Sequence, residues 1–206
     1  MTAPHSSIEI ERKYDADADT PLPDLFALPG VACVGEVEVR RLDARYLDTA
    51  DNALARAGVA LRRRTGGPDA GWHIKITVPE GKQELHWPLG DLPEDEVPSP
   101  VLDAIGSWAR PPFAPIARIR NERHAFALTD AAGRLVAEFV DDRVEAEAVR
   151  TGRVTAWREW ELELGPAAPA EPAGVAAFFA AADAAVSAAG GRIASSGSKL
   201  ARALTS

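Results

Sequence analysis

Carboxylate side chains recur at every second position near both ends of this chain, alternating with apolar residues. These carboxylates are Glu9, Glu11, Glu159, Glu161 and Glu163. Because successive side chains of a β-strand point to opposite faces, each group shares one face of its strand. Like charges side by side on a strand are destabilising unless an opposite charge lies between them. Carboxylate oxygens suit Mg²⁺ and Mn²⁺, so the two segments predict a divalent-metal site.

Basic side chains show the same alternation in the middle of the chain. They are Arg62, Arg64, Lys75, Arg118 and Arg120, with Arg123 just outside the register of the last two. Arginine binds phosphate oxygens through forked contacts, and lysine binds them as a point charge. One charged strand alone is more often a solvated face, but solvated faces mix signs, whereas here like charges cluster. A metal-bound polyphosphate would satisfy both sets of charges.

The elements that must position these side chains follow from the same period of two. It predicts about eight strands, at residues 7–14, 37–47, 59–65, 71–78, 84–89, 116–128, 135–144 and 155–164. Short helical segments are predicted at residues 22–28, 51–57 and 101–108, the second being a helix or a turn. A linker at 166–172 precedes an alanine-rich helix that stops at Gly190-Gly191, and a last element at 195–204 carries Lys199.

Length and charge bound the class of protein. The chain has 206 residues, with 31 acidic and 23 basic ones, so we predict one domain over residues 1–206 and no nucleic-acid partner, which would need a basic excess. The first residues lack a basic, then apolar, leader pattern, and no stretch reaches about 20 uninterrupted apolar residues. We therefore expect a cytoplasmic protein without a membrane partner, either a monomer or a homodimer.

Several further residues have a structural interpretation that competes with a chemical one. Cys33 is predicted to be a buried small hydrophobe, because its neighbours are apolar. His73 is interpreted as a half-exposed strand residue, with contact to substrate as the alternative. Gly66 and Gly67 are typical of a hairpin turn and lack the Lys-Ser/Thr that follows a phosphate-binding loop. Tyr46 and Asp48 are interpreted as fixing a strand end.

The ordered set of these motifs resembles a known family. The segment Glu9-Ile10-Glu11-Arg12-Lys13 is similar to the ExExK signature of the CYTH family, the triphosphate tunnel metalloenzymes. This family includes inorganic triphosphatases, thiamine triphosphatases and class IV adenylate cyclases. The resemblance continues in family order through residues 46–49, 61–64, 74–75, 118–123, 138–142, 159–164 and 198–199.

The resemblance implies an α+β fold, an eight-stranded antiparallel β-tunnel with flanking helices, in which a C-terminal helical segment at about 171–206 packs on or caps the tunnel. It implies metal ligands Glu9, Glu11, Glu161 and either Glu159 or Glu163, with Glu138 and Asp142 as further candidates. It implies phosphate binders Lys13, Arg62, Arg64, Lys75, Arg118, Arg120, Arg123 and Lys199. The group predicted to stand at the reacting centre is Glu9, Glu11, Lys13, Arg62, Arg64 and Lys75.

The activity implied is hydrolysis of a small triphosphate with Mg²⁺ or Mn²⁺, one ion neutralising the substrate and a second helping to activate water. Inorganic tripolyphosphate, cleaved to pyrophosphate and phosphate, is the first choice of substrate. The alternatives are a thiamine or nucleoside triphosphatase, a class IV adenylate cyclase and a non-catalytic polyphosphate-binding module. Some family members carry a base-like lysine where this chain has Asn121, so metal-bound hydroxide or a carboxylate is the expected water activator.

Overall fold

The computed structural model describes residues 3–79, 81–94 and 96–205. In these ranges eleven strands form one sheet, in which every pairing is antiparallel. The strands are β1 (His5–Glu9), β2 (Glu11–Ala16), β3 (Cys33–Val34), β4 (Glu38–Asp48), β5 (Val59–Thr65), β6 (Gly71–Val78), β7 (Gly81–Pro88), β8 (Ala114–Thr129), β9 (Leu135–Ala148), β10 (Arg153–Leu164) and β11 (Arg192–Ile193). Their order is β1-β7-β6-β5-β4-β8-β9-β10-β2-β11, with β3 paired to β8.

The sheet curls on itself, because the first strand of this order and the last long one are consecutive in the chain. β1 pairs with β7 and β2 pairs with β10, and the chain itself joins β1 to β2 at Ile10. The backbone N–H of Leu164 donates to the Ile10 carbonyl over 3.0 Å. We call this junction the seam; here the covalent chain, rather than a strand pairing, closes the tunnel.

The predicted class, an antiparallel tunnel sheet with flanking helices, is confirmed, but the count of eight strands is corrected to eleven. The predicted first strand is divided at Ile10 into β1 and β2. The other two additions, β3 and β11, have two residues each, which is too short for a period of two to be visible.

Cys33 lies in β3 and is exposed, so the prediction that it is buried was wrong. In the described ranges this short strand pairs with the end of β8.

Three helices cover the outer face of the sheet. α1 (Ala53–Arg56) and α2 (Ser99–Ile105) lie over β5, β6 and β7, where Val101 and Ile105 join the core around Trp72. α3 (Pro172–Ala189) begins with its proline in the first turn, as helix starts favour, and ends at Gly190 in the left-handed conformation. Its Phe178 is fully buried against the core of β2, β9 and β10.

One helix of the described ranges, α3, is long and apolar enough to cross a membrane by length and composition, with a mean hydropathy of 1.4. A polar contact nevertheless ties it to the sheet, since Asp183 accepts from the Tyr14 hydroxyl over 2.9 Å and from Arg12 over 2.5 Å. α3 therefore docks on the outer face through both apolar and charged contacts.

The last helix, α4 (Lys199–Thr205), packs against the inner face of the sheet. Its Ala203 is buried with Ala146 of β9 and Ala44 of β4. The Ala203 carbonyl accepts from Arg153 over 3.1 Å, and Arg202 pairs with Asp15 over 2.5 Å. α4 is thus held inside the tunnel, and Lys199 starts it.

Candidate functional site

The inner face of the sheet lines a cavity of about 370 Å³ whose walls are mostly charged. Its acidic lining residues are Glu9, Glu11, Asp69, Glu84, Glu138, Glu161 and Glu163. Its basic lining residues are Lys13, Arg40, Arg62, Arg64, Lys75, Lys82, Arg123 and Lys199. Buried charges are costly unless they are paired or bind a ligand, so the partners of each group indicate what this cavity can hold.

Three carboxylates, which we call the acid triad, converge beside α4. Oxygen atoms of Asp142, Glu159 and Glu161 lie within 4.8 Å of one another. Lys199 Nζ lies 2.8 Å from Asp142, 2.6 Å from Glu159 and 2.7 Å from Glu161. Burial alone would lower the pKa of Lys199, but the three carboxylates hold it well above its usual value. This cation is therefore fully charged and shared by the triad.

Two further cations reach the triad residue Glu161. Arg123 Nη2 lies 3.0 Å from one oxygen of Glu161 and 2.7 Å from Asp142, and Lys13 contacts the other oxygen of Glu161. Burial would raise the pKa of Glu161, yet Lys13, Lys199 and Arg123 hold it well below its usual value. Glu161 is consequently ionised at every pH at which the protein would work.

The first-strand carboxylates point into the same cavity from both sides of the seam. Glu9 accepts from Lys75 over 2.6 and 2.8 Å. Glu11 accepts from Lys13 over 2.9 Å and from Lys82 over 2.7 Å. Because Lys82 belongs to β7 and Glu11 to β2, this last pair bridges the seam.

Glu163 differs from the other carboxylates, because within the described ranges it has neither a hydrogen bond nor an ion pair. Burial in the tunnel and the neighbouring carboxylates of Glu9 and Glu11 raise its pKa to about 7. More than a third of its surface is nevertheless open to solvent. Neighbouring carboxylates that repel one another are a suitable donor set for a divalent cation.

Arginine side chains on β4 and β5 form a basic wall opposite these carboxylates. Arg62 contacts the Tyr46 hydroxyl over 3.4 Å and Glu84 over 3.2 Å, and Arg64 pairs with Asp69. Arg40 makes two contacts of 3.0 Å to Glu138. The buried Nε–H groups of Arg40, Arg62 and Arg64 find no acceptor among residues 3–79, 81–94 and 96–205. Unsatisfied buried donors cost free energy, so this wall suits an anionic ligand that offers several oxygens.

The Arg64 cation is the least well compensated of the three. Burial and the like charges of Arg62 and Arg123 lower its pKa to about 9. Its partner Asp69 lies on the β5–β6 hairpin loop, and the Asp69 side chain is 52% exposed. The loop turns at Gly66, where an added Cβ would lie 1.9 Å from the Arg41 carbonyl oxygen. A half-exposed carboxylate therefore faces a buried guanidinium.

His73 is buried, with 1% of its surface exposed, so its interpretation as a half-exposed residue was wrong. Its ring lies between Glu84, 2.6 Å from Nδ1, and the Asp69 carbonyl, 3.0 Å from Nε2. The ring thus joins the hairpin loop to the wall of the tunnel. Asp48 also has a structural role, since its carboxylate accepts from the backbone of Leu54 and Ala55 at α1.

Two predicted phosphate binders lie outside the tunnel. Arg118 pairs with Asp43 over 2.5 Å and Arg120 with Glu145 over 2.8 Å, both on the outer face of the sheet. The tunnel is lined instead by Ile119, Asn121 and Arg123. The assignment of Arg118 and Arg120 to the site was therefore wrong, because a shift of one residue in a strand exchanges its two faces.

The other predicted site residues lie together. The thirteen inward residues are Glu9, Glu11, Lys13, Arg62, Arg64, Lys75, Arg123, Glu138, Asp142, Glu159, Glu161, Glu163 and Lys199. Sequence reasoning missed Arg40, Asp69, Lys82 and Glu84, which also line the cavity. The period of two could have identified Arg40, Lys82 and Glu84 as lining residues, because they lie on strands. No sequence pattern identifies Asp69, because it lies on a loop.

The donor set fits a hard divalent cation. Glu9, Glu11, Glu161 and Glu163 would hold one ion between the strands that meet at the seam, and the acid triad offers a second group of oxygens. Asn121 lines the cavity and its buried Oδ1 has no donor in the part of the chain that the structure describes. An amide has no proton-accepting amine, so Asn121 cannot act as a base.

The comparisons with known proteins agree with this geometry. The model of the CYTH domain matches residues 7–186. An uncharacterised protein of Mycobacterium tuberculosis, Rv2226, is 38% identical over 173 residues, which cover 78% of this chain and 34% of that protein. This chain thus spans about a third of the length of the curated relatives that it matches first.

Two solved structures share the fold. A Bacillus halodurans protein provisionally named an adenylate cyclase superposes with a TM-score of 0.62 at 17% identity, covering 96% of this chain and 97% of its own. A Hippeastrum protein provisionally named an adenylyl cyclase, and described as having a dominant triphosphatase activity, gives a TM-score of 0.52 at 17% identity, covering 94% of both chains. With the family match over most of its length, the chain belongs to the CYTH domain family.

Proposed function

We propose that this protein hydrolyses small triphosphates with the help of Mg²⁺ or Mn²⁺, and that inorganic tripolyphosphate is its substrate. The observation that carries the proposal is that one cavity has two walls whose polar groups lack suitable partners. Buried arginine donors without acceptors lie on one wall, and carboxylates that repel one another lie on the other. A metal-bound phosphate chain completes both at once.

The phosphate chain would be bound by Arg40, Arg62 and Arg64 through the donors that lack acceptors. Each charge-assisted hydrogen bond to an anion contributes about 1.5–3 kcal/mol. Asp69 would leave Arg64 when a phosphate oxygen takes its place, since its side chain is half exposed. The anionic substrate therefore replaces an acid that already belongs to the site.

The carboxylates would hold the cations. Glu9, Glu11, Glu161 and Glu163 are the first group of ligands, and Asp142 and Glu159 extend it. A divalent ion there would neutralise phosphate charge and lower the pKa of a bound water. Lys13 and Arg123, which contact Glu161 and line the cavity, would stabilise charge that develops on the phosphoryl and leaving oxygens.

The composition of the lining supports a substrate without an organic group. Most of its side chains are charged, and three of the four aromatic rings that reach it, Tyr46, His73 and His86, are engaged with one another or with charged partners, the fourth being His5. A nucleobase or thiazolium pocket would instead be largely apolar or aromatic. The triphosphatase activity described for the Hippeastrum protein supports hydrolysis of a triphosphate, and the cyclase names of the neighbours define the alternative.

The test is turnover by the purified chain with tripolyphosphate, ATP or thiamine triphosphate, each with Mg²⁺ or Mn²⁺. We expect phosphate and pyrophosphate from tripolyphosphate, and loss of turnover in EDTA. Cyclic AMP from ATP would replace the proposal with a cyclase, and binding without turnover of any triphosphate would replace it with a polyphosphate-binding module.

The proposal also covers the domain organisation, location, oligomeric state and partners of the protein. Residues 1–206 act as one domain in the cytoplasm, as a monomer or a homodimer, and the partner is the small anionic substrate rather than nucleic acid or membrane. The acidic balance of the chain supports this choice. Analytical ultracentrifugation and a nucleic-acid binding assay at low salt test it.

A further inference from the structure

Lys199 occupies the centre of the acid triad. Its Nζ lies between 2.6 and 2.8 Å from one oxygen each of Asp142, Glu159 and Glu161. Only 13% of the Lys199 side chain is exposed, and none of the Asp142 side chain is. One ammonium group therefore serves three carboxylates in a buried place.

A divalent ion bound by the same three oxygens would occupy the position of the Lys199 ammonium. Mg²⁺ lies about 2.0–2.1 Å from its oxygen ligands, and the oxygens of the triad lie within 4.8 Å of one another. An ion among them would stand in contact with the ammonium, and two cations at that separation repel strongly in a poorly solvated site. The lysine and the ion thus exclude each other.

We propose that Lys199 is a displaceable internal cation, and that a divalent ion enters the acid triad only when the Lys199 ammonium leaves it. The position of the first turn of α4 is then coupled to the charge of the triad. This inference rests on the proposed function in one respect, namely that the triad belongs to a metal-dependent site.

The way in which α4 is held allows this displacement. The far end of the helix is anchored, because Arg202 pairs with Asp15 and the Ala203 carbonyl accepts from Arg153. Ser198 and Lys199, at the near end, line the cavity itself. The near end can therefore move while the far end stays in place.

A triphosphate in the cavity would help the lysine to leave. Phosphate oxygens near Lys199 would offer the ammonium a new anionic partner, so the triad would lose its cation without leaving a buried charge unpaired. Substrate and the ion of the triad should therefore bind cooperatively. A ligand that binds one arrangement better shifts the equilibrium toward it by its difference in affinity.

Mn²⁺ binding to EDTA-treated protein, followed through the electron paramagnetic resonance of free Mn²⁺ and with no triphosphate present, tests the displacement. We expect Lys199→Met to bind Mn²⁺ at the triad at least about tenfold more tightly than the unchanged protein, since its competitor is gone. Lys199→Arg keeps a cation and Leu200→Ala loosens the same helix without changing its charge, so both should bind like the unchanged protein. Coincident binding curves for Lys199→Met and the unchanged protein would overturn the inference.

A second measurement needs no variant. Hydrogen exchange of the backbone amides of residues 199–205 should become several times faster when Mn²⁺ saturates the unchanged protein, because the first turn of α4 is released. Unchanged or slower exchange would contradict the displacement. Neither measurement depends on turnover, so an inactive protein would refute the proposed function and leave this inference to be judged on its own results.

Discussion

The strands β4, β8, β9 and β10 carry charges on both faces, and the two faces differ in how those charges are partnered. On the outer face most pairs are open to solvent, as in Arg120 and Glu145, whose side chains are 51% and 56% exposed, although Arg158 and Asp141 form a buried pair there. On the tunnel face the groups are buried and shared, as in Glu161, which contacts three cations. Exposed pairs contribute about 0–1 kcal/mol, so the burial of several cations around one carboxylate, rather than alternation, marks the site.

The sharpest way to break this comparison is to neutralise one carboxylate on each face. Glu161→Gln removes the charge that holds Lys13, Arg123 and Lys199 in place, so kcat/KM for tripolyphosphate should fall about 100-fold or more. The matched change on the outer face, Glu145→Gln, should leave kcat/KM within about twofold. Equal losses in the two variants would show that the distinction between the faces is wrong.

An arginine from each face gives the next largest effect. Arg64→Met removes a buried guanidinium from the basic wall, and loss of its charge-assisted contacts should raise KM about 10- to 100-fold. Arg120→Met, which removes an outer-face arginine, should change KM by less than about twofold. The measurement is the initial rate of phosphate release, and an unchanged KM in Arg64→Met would exclude this residue from substrate binding.

A change at Asp69, the half-exposed acid paired with Arg64, should lower KM rather than raise it. If Asp69 competes with phosphate for Arg64, Asp69→Asn should lower KM about fivefold, which corresponds to about 1 kcal/mol for an ion pair of this exposure. Asp43→Asn breaks an outer-face pair with Arg118 and serves as the control. A rise of KM in Asp69→Asn would mean that the carboxylate holds Arg64 in place for the substrate.

The smallest expected effect is on stability. Glu163 has a pKa raised from 4.5 to about 7, so the folded state favours its protonated form, and stability falls as pH rises from about 4.5 to 7. The exposure of the side chain reduces the effect to about 1 kcal/mol, or a Tm lower by about 2–4 °C at pH 8 than at pH 5. Thermal unfolding of EDTA-treated protein measures it, and Glu163→Gln should flatten this part of the profile. The same slope in both proteins would assign it to other groups.

Much of the fold could be predicted, because a period of two is a direct consequence of strand geometry and each long strand shows it. The division at Ile10 could not, since the change of partner from β7 to β10 leaves the sequence pattern unbroken. For the same reason Glu9 and Glu11 were correctly placed on one face, although they belong to different strands.

The site was predicted less evenly than the fold. Arg118 and Arg120 were placed on the wrong face because the basic run from 118 to 123 changes register, and sequence alone does not say which alternate residues face inward. The role of Asp69 depends on how a hairpin loop folds back over the tunnel, and the sharing of Lys199 depends on α4 entering it. Contacts between residues so distant in sequence leave no local pattern.

The seam at Ile10 has a mechanical consequence. Three links hold the sheet closed there: the chain bond from β1 to β2, the hydrogen bond from Leu164 of β10 to Ile10, and the ion pair between Lys82 of β7 and Glu11 of β2. Salt weakens such a pair far more than it weakens a ladder of backbone hydrogen bonds. The tunnel should therefore widen at the seam as ionic strength rises, while the strand pairings on either side of the seam stay intact.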